Sequence, residues 1–246
     1  MTLLPTIQQW WKDQRQRESL PQTSRRFLRT VWDFARESTP EQRRRRYGDI
    51  DFDWERRVDT TEGTVGWKAR LLGMFHSSYQ PTEPEAFREM IDALDIDFPE
   101  FTFIDIGSGK GRVLLLASDY PFRRILGVEL LPELHRVAQE NIARYQNPRQ
   151  RCFALESLCA DAREFAFPPE PTLLYFFNPL PEPGFGRVIE NLGASLRKSP
   201  RPLFVLYHNP VWERLVAASP ELKKIGGKHQ YSVFANSPAA STQRGL

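Results

Sequence analysis

The chain has 246 residues, of which 40% are apolar and 26% charged, and a formal net charge of +3, so it can bury one full-sized core. No apolar run approaches the roughly 20 residues that span a bilayer, and no basic segment precedes an apolar one at the start. A soluble, cytoplasmic protein is therefore expected. Cys152 and Cys159 are too few and wrongly spaced for a disulfide or zinc framework, which predicts buried free thiols.

The positive charge is concentrated near the N-terminus, where residues 1–50 contain 11 Lys and Arg against 6 Asp and Glu. An apolar stripe over residues 7–46 predicts two helices separated near Leu20 and Pro21. Residues 48–78 show no clear periodicity, which predicts a connecting loop. Residues 1–78 are therefore predicted to be a basic helical extension that ends in this loop. A run of four arginines in it is typical of a solvated helix face, with nucleic-acid contact as the functional alternative: Arg43, Arg44, Arg45 and Arg46.

Helix-like and strand-like segments alternate from residue 84 onward, which predicts a parallel sheet with helices on both faces. Gly226 and Gly227 then separate two short segments, which predicts a closing hairpin with one antiparallel strand. The predicted fold class is α/β, a Rossmann-like, doubly wound, seven-stranded sheet over residues 79–236, followed by a disordered tail at residues 237–246. Helices are predicted at residues 84–94, 132–145 and 184–198, and strands at residues 101–106, 124–129, 153–158, 172–177, 202–207, 222–225 and 230–235.

The most informative segment is residues 101–117, where an apolar strand leads through alternate glycines into an apolar helix. Gly107, Gly109 and Gly111 permit a sharp turn, a close approach of the backbone to a ligand, and helix N-terminal N–H groups aimed at that ligand. Dinucleotide-binding proteins prefer the spacing G-x-G-x-x-G, whereas the third glycine comes one position earlier here. A dinucleotide-dependent oxidoreductase is therefore the weaker interpretation.

Asp105 lies two positions before the first of these glycines, and the combination resembles motif I of the class I S-adenosylmethionine (SAM) methyltransferases. The resemblance covers about residues 79–236. It implies that SAM is the cofactor and S-adenosylhomocysteine the product. It also implies that the glycines lie against the aminocarboxypropyl arm, with the Asp105 carboxylate near the cofactor's ammonium.

Other residues of the resemblance follow the next strands. Glu129 would accept hydrogen bonds from both ribose hydroxyls, with capping of the following helix as the structural alternative. Asp161 and Ala162 resemble the family's adenine site, with Asp161 accepting from the exocyclic amine and the Ala162 N–H donating to a ring nitrogen. Leu130 would pack on the adenine face, and an ordinary surface loop is the alternative for Asp161.

Tyr79 and Thr82 belong to a Tyr-Gln-Pro-Thr segment upstream of the glycines. It resembles a segment found before motif I in several protein lysine methyltransferases of the non-SET type and in a bacterial group of uncharacterised specificity. Either side chain could close over the SAM carboxylate. Thr82 also begins a capping-box sequence, and the two roles are compatible.

Asn178 and Pro179, after the fourth strand, resemble the start of the Asn/Asp-Pro-Pro-aromatic motif of amino-methyltransferases. Asn178 would orient a nucleophilic amine, assisted by the Pro179 carbonyl. Leu180 and Pro181 depart from that motif, which weakens adenine or glutamine as acceptor. His208, at the end of the fifth strand, is a candidate for assisting deprotonation, although histidines in such positions are more often packing residues.

Together these features predict a SAM-dependent methyltransferase acting on a nitrogen, with a protein lysine as the preferred acceptor. A nucleic-acid or small-molecule acceptor is the alternative among enzymes. A sensor or adaptor that binds SAM without transferring methyl groups is the alternative of another class. The chemistry requires no metal, and no cluster of His and Cys in the sequence suggests one.

Overall fold

The computed structural model describes residues 11–12, 19–37, 50–61 and 81–236. The arginine run and Tyr79 lie outside these residues, as do most of the predicted first helix and the C-terminal tail. Helix α1, Leu20–Glu37, begins at the predicted break. At its start the Ser19 N–H and hydroxyl both donate to Gln22 Oε1, at 3.0 and 2.8 Å, and the first of these bonds is one half of a capping box.

Helix α2, Ile50–Arg56, differs from the connecting loop that we predicted for residues 48–78. Seven residues are too few to show a helical period, and so short a helix is not stable on its own. Its stability comes from tertiary contacts, because Phe52 packs against the core and the Arg112 guanidinium carbon lies 5.0 Å from the centroid of its ring.

The main body alternates helices and strands as predicted, except that a short helix, not predicted, follows the fifth strand. Its helices are α3 (Pro84–Asp92), α4 (Arg112–Ala117), α5 (Pro132–Arg144), α6 (Glu182–Lys198) and α7 (Glu213–Ala217). Its strands are β1 (Thr102–Ile106), β2 (Arg124–Glu129), β3 (Leu155–Cys159), β4 (Thr172–Phe176), β5 (Leu203–His208), β6 (Lys223–Lys228) and β7 (Tyr231–Ala235). Strand β3 begins two residues later than predicted. The backbone N–H groups of Arg151 and Cys152 instead donate to the Ser118 carbonyl, and Phe153 is 78% exposed.

The seven strands form one sheet in the order β3-β2-β1-β4-β5-β7-β6. Strands β1 to β5 pair in parallel, whereas β7 runs antiparallel to both β5 and β6. The predicted Rossmann-like, doubly wound sheet with a C-terminal hairpin is therefore confirmed. In this order the direction of winding reverses between β1 and β4, and open α/β sheets bind ligands at the carboxyl ends of the strands at such a point.

Apolar side chains cover both faces of the sheet. One cluster joins α3 and α4 to the face that carries Phe103 and Tyr175, and the other joins α6 to the face that carries Ile104 and Phe176. Every residue of β1 and β4 is buried. Burying one such side chain contributes about 1.5–3 kcal/mol, so the two central strands provide a rigid base for the loops at their carboxyl ends.

The sequence predicted no membrane-spanning helix, no metal site and two buried free thiols. No helix within the described ranges is both long and apolar enough to cross a membrane. Among the same residues, no group of His, Cys, Asp and Glu is arranged to hold a metal ion. Both cysteines are free, but only Cys152 is buried; the prediction for Cys159 was wrong, because its position at the end of β3 leaves the thiol exposed.

Candidate functional site

A cavity opens at the carboxyl ends of β1, β2, β3 and β4, with an empty volume of about 950 Å³ that includes its open mouth. Pro179, from the predicted acceptor side, borders the cavity. Most of the predicted cofactor residues border it too: Thr82, Asp105, Gly107, Gly109, Glu129, Leu130, Asp161 and Ala162. The strands of the sheet thus bring together residues that are as much as 97 positions apart, from Thr82 to Pro179. Among the predicted residues that the structure describes, Gly111, Asn178 and His208 do not line the cavity.

The glycine turn, residues 107–111, forms the floor of the cavity. Gly107, Gly109 and Gly111 all have positive φ, at 81°, 55° and 83°, a conformation that side chains other than glycine rarely adopt. Space is restricted as well, because a Cβ at Gly107 would lie 2.6 Å from Pro179 Cβ and one at Gly111 would lie 3.2 Å from Ala138 Cβ. Gly111 therefore serves close packing of the turn against α5, and the cavity lies on the other side.

Asp105 is the buried acid at the end of β1, with 2% of its surface exposed. Within the described residues its carboxylate makes no hydrogen bond and no ion pair, although its backbone pairs in the sheet. Burial, and secondarily the nearby Glu129 carboxylate, raise the pKa of Asp105 well above its ordinary value. A ligand that brings a cationic group to this carboxylate would restore its ionised form.

Glu129 is held by the backbone rather than by another charge. Its Oε2 accepts the Gly109 N–H and its Oε1 accepts the Leu131 N–H, both at 2.8 Å. Burial raises the pKa of Glu129, and these N–H groups oppose that effect. The bond to Leu131 reaches the residue before α5 and not a first-turn N–H of that helix, and the bond to Gly109 fixes the carboxylate beside the cavity.

Asp161 follows β3 and has both carboxylate oxygens in contact with Arg163. Oδ1 accepts the Arg163 backbone N–H and Nε–H, each at 2.9 Å, and Oδ2 lies within reach of Nε and Nη2. Hydrogen bonding to Arg163 lowers the pKa of Asp161. The residue also caps the 3₁₀ turn Ala162–Glu164. Its carboxylate is therefore held in one position at the border of the cavity, which Ala162 and Leu130 also line.

A chain of three polar side chains extends from the cavity to β5. Thr82 Oγ1 lies 3.0 Å from Tyr175 Oη, which lies 2.9 Å from His208 Nδ1. His208 stacks on Phe177, with ring centroids 4.2 Å apart, and burial lowers its pKa to about 4. The imidazole is therefore neutral near pH 7, and its Nδ1 is hydrogen-bonded to the Tyr175 hydroxyl.

Asn178 has an unusual backbone and a fully engaged side chain. Its φ is 44°, and that of Asn209, at the end of the neighbouring β5, is 47°. The Asn178 Nδ2 donates to the Asn209 carbonyl at 2.8 Å, while its Oδ1 accepts the Tyr207 hydroxyl at 3.0 Å. The amide thus ties the ends of β4 and β5 together, and an acceptor amine would have to compete for its oxygen.

Further residues line the cavity. Tyr175 and Phe177, which the sequence suggested only as apolar neighbours of a lysine acceptor, border it from β4 and the loop after it. Arg112, which was missed, borders it from the start of α4. An apolar strand pattern gives no sign that a tyrosine hydroxyl will reach a polar pocket. Arg112 directly follows the third glycine, and that position next to the turn could have suggested that it lies close to a ligand.

No family model matches this chain, and no curated protein is similar to it. Similar folds include a predicted N6-adenine-specific DNA methylase from Listeria monocytogenes, at 11% identity over 65% of this chain and 52% of that one, with a TM-score of 0.47. A ribosomal protein L11 methylase from Lactobacillus delbrueckii subsp. bulgaricus has 13% identity over 65% and 80% of the two chains and a TM-score of 0.43. An RNA methyltransferase from Salinibacter ruber, in complex with S-adenosyl-L-homocysteine, has 20% identity over 63% and 92% and a TM-score of 0.36. At these values the three structures say nothing about individual residues of the site or about its substrate.

Proposed function

We propose that the protein is a SAM-dependent methyltransferase. The observation that carries this proposal is the pair of buried carboxylates, Asp105 and Glu129, in a cavity that has a glycine turn as its floor. Asp105 has no compensating cation among the described residues. A ligand with a positive charge and two vicinal hydroxyls would suit both acids, whereas the pyrophosphate of a dinucleotide would be repelled by them.

The residues present fit SAM part by part. Asp105 would face the ammonium, the turn at Gly107 and Gly109 would lie along the aminocarboxypropyl arm, and Glu129 would accept from the ribose hydroxyls. Leu130, Asp161 and Ala162 would enclose the adenine, and Thr82 would lie near the carboxylate. When bound, SAM supplies an electrophilic methyl group on a sulfonium.

The acceptor would enter beside the loop after β4. Pro179 borders the cavity and packs against Gly107, so its carbonyl is the group that we propose to orient the acceptor nitrogen. Asn178 would act by holding this loop rigid, since its amide is bonded to Tyr207 and Asn209. His208, neutral and stacked on Phe177, would act by holding the Tyr175 hydroxyl and the Phe177 ring in place beside the cavity.

Calorimetric titration with SAM and S-adenosylhomocysteine, with NADH and ATP as comparison ligands, tests the cofactor. We expect binding of the first two only, and loss of that binding in Asp105→Asn and Glu129→Gln. The exposed Asp95→Asn variant is the matched control and should bind as the wild type does. Retained affinity in both site variants, or preferential binding of NADH, would overturn the assignment.

Transfer itself needs a second measurement, because a sensor or adaptor would bind SAM equally well. Radiolabelled methyl groups should appear in the nucleic-acid or protein fraction of a cell extract incubated with the protein, and not with Asp105→Asn. Tight binding of SAM without incorporation into any fraction would support the sensor and exclude the enzyme.

The acceptor class that we favour is nucleic acid, because of a surface that combines exposed aromatic rings with arginines. This basic surface consists of Trp54, Arg56, Arg57, Arg149 and Phe153. Trp54 and Phe153 are 85% and 78% exposed, and Arg57 borders a shallow depression with each of them. Exposed rings among cations are typical of sites where bases stack along a single strand.

The basic surface carries three arginines; Glu55 borders both of its depressions, and Asp53 and Asp59 border the one at Trp54. Burial raises the pKa of Asp119, while Arg88, Arg56 and Arg149 act in the opposite direction, so three cations surround this one carboxylate. Arg56 Nε is buried without a hydrogen-bond partner among the described residues. Because Phe153 precedes β3, the surface lies toward the amino edge of the sheet and would hold a part of the nucleic acid remote from the methylated base.

Filter binding of a single-stranded RNA oligonucleotide at two salt concentrations tests this preference. Phosphate contacts make binding fall steeply with salt, and Arg57→Ala or Phe153→Ala should weaken it about tenfold. Ile225→Ala, an exposed apolar residue of β6, is the control and should have no effect. Absent or salt-independent binding, with radiolabel in the protein fraction, would return the choice to a lysine acceptor.

A further inference from the structure

Two buried cations lie in the glycine turn and directly after it. Lys110 and Arg112 alternate with its glycines, and only 1% and 2% of their side chains are exposed. Burying an ammonium or guanidinium is costly unless it is paired and hydrogen-bonded. Their partners come from residues 53–61, which we call the strap and which precede the first strand of the sheet by about 40 positions.

Lys110 is held by the end of the strap. Its Nζ donates to Asp59 Oδ1 at 2.8 Å and to the Thr61 carbonyl at 2.7 Å. The Asp59 side chain is 41% exposed, so the pair joins a buried cation to a carboxylate at the surface.

Arg112 is held by the beginning and the end of the strap together. Its Nε donates to Thr60 Oγ1 at 2.6 Å, and its Nη2 lies 3.3 Å from Asp53 Oδ1. Asp53 in turn accepts the backbone N–H groups of Thr60 and Thr61 at 2.7 and 2.9 Å. One carboxylate therefore closes the strap into a loop and pairs with the guanidinium.

Asn141, in α5, joins the strap to the turn directly. Its Oδ1 accepts the Asp59 N–H at 2.8 Å, while its Nδ2 donates to the Asp59 carbonyl at 2.8 Å and the Lys110 carbonyl at 2.9 Å. The residue is 2% exposed, which shields these bonds from water. Lys110 is thus held both through its side chain and through its backbone carbonyl.

The fixed backbone adjoins the part of the turn that forms the floor of the cavity. Gly109, next to Lys110, donates its N–H to Glu129 Oε2 at 2.8 Å, and Arg112 itself borders the cavity. A shift of the turn would displace that N–H and, with it, the carboxylate that we assign to the ribose.

We infer that Asp53 and Asp59 are positioning residues for the cofactor: through Arg112 and Lys110 they hold the glycine turn in its ligand-binding conformation. The strap is accordingly part of the cofactor site, although it lies outside the sheet domain in sequence. This inference rests on the proposed function, since the ligand that it concerns is SAM.

Affinity for S-adenosylhomocysteine in the full chain is the first test. Asp53→Asn and Asp59→Asn should weaken binding about tenfold, the size of a typical coupling between sites. Glu55→Gln, on the same helix α2, is the control and should bind as the wild type does. Asp59→Glu should restore most of the affinity, because the half-exposed site accommodates a longer carboxylate. Unchanged affinity in both Asn variants would overturn the inference and leave the proposed function standing.

Hydrogen exchange without any ligand is the second test, and it separates positioning from general destabilisation. The amides of Gly109 and Gly111, which donate to Glu129 and to the Ser108 carbonyl, should exchange faster in the two Asn variants. The amide of Leu174 in β4 should keep its protection and thereby report a folded sheet. Unchanged exchange at both glycines would refute the strap's role. If the wild type bound no S-adenosylhomocysteine, the proposed function would fail while this test still judged the strap.

Discussion

Asp105 and Gly107 show how far single residues determine the site. Asp105 is an acid kept from water without a described partner, and Gly107 has a backbone and a packing contact that no other residue type can share without strain. Each feature can be tested by one substitution, and each substitution has a matched control elsewhere in the chain.

Replacing Asp105 by Asn should stabilise the ligand-free protein at neutral pH by about 1 kcal/mol, because a buried amide costs less than a buried carboxylate. The pKa of Asp105 is raised in the folded state, so its unfavourable effect is absent below its unfolded value near 3.8 and develops as pH rises toward the folded value. The Asp105→Asn variant should not lose stability in this way as the pH rises. Urea unfolding of both proteins between about pH 4 and 8 measures the difference, and parallel curves would contradict the prediction.

Gly107→Ala should destabilise the fold by about 2–4 kcal/mol, because the left-handed conformation and the contact with Pro179 both add strain. Gly186→Ala, in helix α6, is the control: the nearest atom to its Cβ would be 4.0 Å away, and alanine favours a helix by about 1 kcal/mol. Thermal unfolding should therefore shift in opposite directions for the two variants. Equal shifts would show that the turn can relax away from Pro179.

At the scale of elements, the carboxyl ends of β4 and β5 are joined by two asparagines in the left-handed conformation. Both strands stop at the sheet edge where the cavity lies, and the Asn178 amide bridges the segments that follow them. Backbone strain held in place by hydrogen bonds is common at functional sites, because it fixes a loop that would otherwise move.

Asn178 offers a test in which glycine should be the better replacement. Asn178→Gly and Asn178→Ala both lose the bonds to Tyr207 and Asn209, but only alanine adds the cost of positive φ, about 1–2 kcal/mol. The glycine variant should therefore be the more stable of the two, and both should transfer methyl groups more slowly. Urea midpoints rank them, and a more stable alanine variant would mean that the loop abandons this conformation.

At the scale of the whole molecule, burial decreases from the centre of the sheet to its edge. Strands β1 and β4 are buried throughout, whereas every residue of β6 is exposed. Strand β6 carries three lysines, Lys223, Lys224 and Lys228, and charged side chains on an edge strand discourage pairing with another molecule.

Amide hydrogen exchange should follow this gradient. Amides of β1 and β4 should exchange only through global unfolding, and those of β6 through local opening of the hairpin with β7, at rates orders of magnitude higher. Mass spectrometry of peptides from the two regions measures both in one experiment. Protection of β6 equal to that of β4 would indicate that a second molecule covers this edge.

The sequence alone determined the order of strands and helices, the closing hairpin and the glycine turn. These features arise from local patterns: apolar alternation, helical periodicity, and glycines that permit positive φ. The parallel arrangement followed from that order, because a helix between two strands returns the chain to the same end of the sheet. The places of Asp105 and Glu129 were likewise predictable, since each lies within the last two residues of an apolar strand.

Only the tertiary structure decided how those residues are used. The strap meets Lys110 and Arg112 across 49 to 59 positions of sequence, and Asn141 meets Asp59 across 82. Contacts between residues so far apart leave no periodic signal, so a helix appeared at residues 50–56 where a loop was expected. For the same reason the sequence could not show that the Asn178 amide bonds to Tyr207 and Asn209, or that Asp105 is buried at a cavity without a described partner.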